Sequence, residues 1–120
     1  MKEDNVLIDK SYAFALRSVK LYMFLKKAHG RLSIFEQQLK AGTSIGANAE
    51  EAIGGQSRKD FISKISIAYK EARESHYWLR IFRDSELLEL KLAESLLKDN
   101  QELKRILAAI LKTSKESEGN

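Results

Sequence analysis

The chain has no proline and no cysteine, one tryptophan, two histidines and six glycines in 120 residues. Without cysteine there are no disulfides and no thiolate metal sites, which fits a reducing compartment. Without proline, a loop-rich or all-β architecture loses its usual turn former. No run of about 18 uncharged apolar residues occurs, so no membrane span is expected. The opening MKEDNVLID mixes charges and lacks the apolar stretch of a signal peptide. The cytoplasm is the expected location, and a membrane is not an expected partner.

What is present is a mix of 43% hydrophobic and 32% charged residues, the balance of a folded chain rather than a disordered one. The length suits a single domain over 1–120, since two halves would each have too small a core. Four segments carry helical periodicity, over about 6–29, 34–53, 57–83 and 91–112. No segment alternates with period two for long enough to make a strand. Helices this long joined by breaks this short predict an all-α fold, an up-down-up-down antiparallel four-helix bundle.

The first helix has two apolar stripes. Tyr12, Leu16, Val19 and Met23 form one, which is expected to face the core. Phe14, Leu21, Leu25 and Ala28 form another, nearly opposite at 100° per residue. One small bundle cannot hide both, so Phe14, Leu21 and Leu25 are the expected oligomer interface. Gly30 is placed to cap the helix. Ser33 with Glu36 has the spacing of a capping box for the second helix, and Ser57 with Asp60 offers a weaker start to the third. The third helix has the most regular seam: Phe61, Ile65, Ala68, Ala72, Ser75, Leu79 and Phe82. The fourth turns Leu92, Leu96, Leu103, Leu107 and Ile110 inward, and its tail SKESEGN is expected to fray.

On the second helix, Phe35, Leu39, Gly42, Gly46, Ala49 and Ile53 share a face. Each helical glycine costs ~1 kcal/mol against alanine, so a close neighbour must compensate. Tyr69, His76 or Trp78 of the third helix are candidates to fill the space, and another subunit is the alternative.

Catalytic chemistry finds little support. Gly42 and Gly46 lack the context of a phosphate loop. His29 and His76 are too few for a typical metal site, and no Glu-x-x-His motif occurs to build a di-iron centre. His76 reads as a packing or interface residue. The spacing of arginine four to six residues before a histidine, common in small helical ribonucleases, is absent. Ser44 has no histidine or lysine placed to activate it. No enzyme, no cofactor and no metal are expected.

Charge is more informative. From Lys10 to Lys40 seven basic residues face a single acid, Glu36, a balance of +6, whereas residues 84–120 carry six bases and eight acids, a balance of −2. Arg73 and Arg80 are seven apart on one helix face, with Lys59 two heptads before Arg73. Lys20, Lys27 and Arg31 form a similar row, with Arg17 in the same basic segment. Such rows can track phosphates without reading sequence. Solvated faces and salt bridges between subunits are the other reading.

The stretch SIGANAEEA, preceded by QQLKAGT and followed by KDFISKISIAYKEARESHYWL, resembles the four-helix-bundle family encoded within intervening sequences of bacterial 23S ribosomal RNA genes. Its relatives include accessory proteins of diversity-generating retroelements. The shared pattern is Ser44, Ile45, Asn48 and Glu51, continued by Lys59, Phe61, Ile67, Ala68, Glu71, Glu74, Trp78 and Leu79. Glu50 and Ala52 depart from it, where the family usually has a small residue and a glycine. The resemblance implies a homo-oligomer, typically a pentamer arranged as a five-fold barrel, without catalytic residues and with a basic surface for nucleic acid. RNA, ribosomal RNA included, is the expected partner ahead of DNA. The retroelement relatives imply an alternative, a protein-interaction adaptor that meets a reverse transcriptase.

Overall fold

The computed structural model describes residues 2–119, with side chains from Val6 to Ser117. Four helices follow one another: α1 (Lys2–His29), α2 (Ser33–Ile53), α3 (Arg58–Asp84) and α4 (Leu90–Gly119). Each packs on the two beside it, in the cyclic order α1–α2–α3–α4, and the bundle measures 50 × 21 × 21 Å. The expected four-helix bundle is what forms. The tail expected to fray instead continues α4 to Gly119; Asn120 lies outside the described residues.

The helix ends show which short-range signals were real. Gly30 has φ +81° and its amide donates to the Lys26 carbonyl at 2.9 Å, closing α1 in the left-handed conformation glycine permits. Ser57 caps α3, its hydroxyl accepting from the Asp60 amide at 3.0 Å. The capping box expected at Ser33 does not form. Leu32 holds the cap position with no side-chain bond, because Glu36 is engaged by Arg31, whose Nε donates to its carboxylate at 2.8 Å.

Packing of α1 reverses the expected assignment of its two stripes. Phe14, Leu21 and Leu25 are buried in the core, whereas Tyr12, Leu16, Val19 and Met23 face outward, Met23 with 64% of its surface exposed. The buried seam is Leu7, Ser11, Phe14, Ser18, Leu21 and Leu25, alternating steps of four and three residues. Two serines interrupt it, and they have a partner. They face the two glycines of α2: a Cβ on Gly46 would lie 3.3 Å from the Ser11 carbonyl, and one on Gly42 would lie 2.7 Å from the Ser18 Cβ. Small residues on both sides let α1 and α2 approach closely, which gains dispersion contacts that offset the helix-propensity cost. Gln38, buried beside them, donates to the Ser18 hydroxyl at 3.4 Å. The residues expected to fill the glycine face, Tyr69, His76 and Trp78, lie on α3 and are only partly buried.

The α3 seam is as expected: Ile65, Ala68, Ala72, Ser75, Leu79 and Phe82 are buried and Phe61 is half-buried. Phe82 meets Phe35 edge-on at 5.6 Å and 79°, a favoured aromatic geometry. On α4, Leu96, Leu103, Leu107 and Ile110 point inward with Ala93, and Leu92 packs at the edge. Asn100 is also buried and its amide donates to the Ala72 carbonyl at 2.9 Å. That bond fixes the register of α4 on α3.

Candidate nucleic-acid interface

The register set by Asn100 has a consequence one turn later. Lys104 comes to lie on α3 beside the row Arg73 and Arg80, and the three bound one open groove with Tyr69, Lys70, His76, Tyr77 and one carboxylate, Glu74. The groove encloses about 540 Å³. The charges are close enough to act on each other: burial first, then Arg73 and Arg80, hold the Lys104 ammonium below the usual lysine range. Among the described residues, none of the three enters an ion pair. Three mutually repelling cations gathered over one groove favour an anion between them.

His76 shares this environment. Burial lowers its pKa most, followed by the charges of Lys104, Arg80 and Arg83. The unfolded chain would take up this proton near pH 6.5, while the folded chain takes it up only at lower pH. In that interval the unfolded state binds more protons, so stability is present above the unfolded value and lost as pH falls. Glu71 has the opposite sign. Burial and neighbouring Glu74 raise its pKa above 4.5, against the pull of Lys70 and Lys40. Its contribution is therefore present at low pH and lost as pH rises through the folded value. His76→Gln is expected to flatten the fall in melting temperature between about pH 7 and about pH 5.5. An unchanged slope in thermal unfolding contradicts this.

Other expected contact residues are distributed differently. Arg17 is tied to Asp99 of α4 at 2.7 Å and Arg31 to Glu36 at 2.8 Å. The Arg17 pair joins α1 to α4, whereas the Arg31 pair is local and leaves the Arg31 side chain on the open surface. Lys20 is exposed at a shallow cleft between α1 and α4, lined also by Arg17, Leu21, Phe24, Leu92 and Leu96. Lys27 is exposed near the end of α1. Lys59 is exposed in the first turn of α3, about 21 Å along the helix from Arg73 at 1.5 Å per residue. Arg73 and Arg80 are brought into one groove, and Arg17 and Lys20 meet at the separate α1–α4 cleft. Lys104 was missed because it belongs to the acidic last segment, and periodicity along one helix does not reveal which side chain stands opposite.

The motif residues hold α2 and α3 in shape. Ile45 is fully buried, and the Asn48 amide donates to the Ser44 carbonyl at 2.9 Å. Glu51 pairs with Lys64 across the two helices at 3.1 Å. Glu74 does not bridge to a neighbouring helix; its carboxylate accepts from the Trp78 indole at 3.2 Å on α3 itself. The departure at Ala52 is accommodated inside the core, and Glu50 points to solvent. Among the described residues, no cluster of three or more histidine or carboxylate side chains is placed to hold a metal ion. Among the described residues, no helix is long and apolar enough to cross a membrane.

The fold and surface define a small helical bundle with one strongly basic groove. A profile described as 23S rRNA-intervening sequence protein matches residues 3–109, and the chain belongs to that family. Among solved structures, a protein from Bacteroides thetaiotaomicron, described as of unknown function and from the S23 ribosomal protein family, is 44% identical. It superposes with a TM-score of 0.89, covering 92% of this chain and 98% of its own. No curated protein matches. Kinship with retroelement accessory proteins finds no support in these matches.

Proposed function

We propose that the protein is a non-enzymatic, self-associating bundle that binds nucleic acid, RNA ahead of DNA, through the groove between α3 and α4. The observation that carries this reading is the convergence of Arg73, Arg80 and Lys104, with Lys70, on one groove whose single carboxylate, Glu74, forms no ion pair with them among the described residues. Gathering like charges on one open groove is unfavourable for folding alone, and a polyanion relieves it. The family's link to ribosomal RNA genes favours RNA as that polyanion.

Self-association rests on the outward stripe of α1. Tyr12, Leu16, Val19, Met23 and adjoining Phe24 are all substantially exposed, a continuous apolar strip about 18 Å long at helical rise. A strip of that kind marks an interaction surface, and a second copy offers the same strip in return. Five copies closing a barrel, each presenting its groove, would let one RNA engage several sites.

Titrating a labelled single-stranded RNA at increasing salt tests the binding mode. The logarithm of the affinity is expected to fall linearly with the logarithm of salt, by about 0.7 per phosphate contacted. Affinity independent of salt rejects a phosphate-driven site.

A further inference from the structure

Tyr77 is the most exposed aromatic side chain of the groove, and phosphate binding does not use it. It is a large aromatic side chain left 49% exposed on the groove wall. Its ring is nevertheless well positioned. The Trp78 ring lies 5.2 Å away at 71°, and Trp78 is itself anchored by its bond to Glu74. The Arg80 guanidinium sits 5.9 Å from the Tyr77 ring centroid, within range for a cation–π contact. Arg73 lies one turn before Tyr77 and Arg80 nearly one turn after it.

Resting on the nucleic-acid reading above, we infer that this groove selects single-stranded over duplex nucleic acid, with Tyr77 as the platform on which an unpaired base stacks. Arg73 and Lys104 take the phosphates that flank that base, and Arg80 bridges ring and backbone. A basic channel with an aromatic face is the combination that holds single strands irrespective of sequence, because every base has a π-face. The groove, at about 540 Å³, falls in the size range of ligand pockets rather than of a cradle for a double helix. A duplex keeps its bases stacked inside and would have to flip one out to reach Tyr77, at a cost that weakens its binding. The ordered ring keeps the entropy lost on stacking small.

Fluorescence anisotropy with a twelve-nucleotide oligouridine and a twelve-base-pair RNA duplex, at one fixed salt concentration, distinguishes the outcomes. The inference predicts tighter binding of oligouridine. Tyr77→Ala should weaken oligouridine binding roughly five-fold or more and leave the duplex unaffected, while Tyr77→Phe, which keeps the π-face, should behave as wild type. Quenching of Trp78, the sole tryptophan, on adding oligouridine should be lost in Tyr77→Ala. If Tyr77→Ala binds oligouridine normally while Arg73→Gln weakens both ligands, the basic site stands and stacking is wrong. If Arg73→Gln changes neither, the nucleic-acid reading fails and the inference falls with it.

Discussion

Replacing Leu16 and Met23 together by glutamate is expected to leave a folded, helical bundle that no longer self-associates. Both side chains lie outside the buried core, Leu16 49% and Met23 64% exposed, so the substitutions remove little internal packing. They place carboxylates in the middle of the apolar strip, where a second copy would have to bury them without partners. Light scattering at micromolar concentration should then report a single subunit, with the helical circular dichroism retained. Phe14→Ala makes the complementary case. Phe14 is 1% exposed, and emptying such a site costs ~3–5 kcal/mol. That loss should appear as a lower unfolding midpoint whatever the assembly state. If the glutamate pair stays assembled while remaining folded, the outward strip is not the interface.

Reversing Arg73 and Lys104 to glutamate should have the second large effect. Two attractive contacts become repulsive, so RNA affinity should fall on the order of 100-fold at moderate salt. Stability should change little. Burial first, then Arg73 and Arg80, depress the Lys104 pKa; in the reversed pair both carboxylates attract Arg80 and repel each other, so on this open groove the net change stays within about 0.5 kcal/mol. Binding lost without stability lost is the signature of charges kept for a ligand. Were both properties to fall together, the cluster would be structural.

Much of this fold was legible because most of the seams had no rivals. The α3 row from Ile65 to Phe82 is unbroken by polar residues apart from Ser75, and only one face fits it. α1 was different. Its outward strip, Tyr12 to Met23, has the same spacing as its true seam and larger side chains, while the true seam is interrupted by Ser11 and Ser18. The serines read as polar surface until the glycines of α2 are placed against them. That pairing is a contact between helices, and periodicity within one helix carries no trace of it. The same limit applies to the site. Arg73 and Arg80 share a face by spacing alone, but Lys104 joins them through the register fixed by Asn100 and Ala72. Arg17 and Arg31 have equally basic surroundings in sequence and are neutralised by Asp99 and Glu36 only once the chain is folded. The proposal of self-association now rests on the outward strip, since one apolar face of α1 remains uncovered either way. The surface that carries it has changed.

The proposed RNA site is the α3–α4 groove, and photo-cross-linking locates it directly. A single-stranded RNA carrying 4-thiouridine would be irradiated in the presence of the full chain, and the attached peptides identified by mass spectrometry. Attachment within Tyr69–Arg80 and at the peptide carrying Lys104 is the predicted result. Attachment confined to Lys20 and Lys27 of α1, or to Lys59 at the far end of α3, would contradict it.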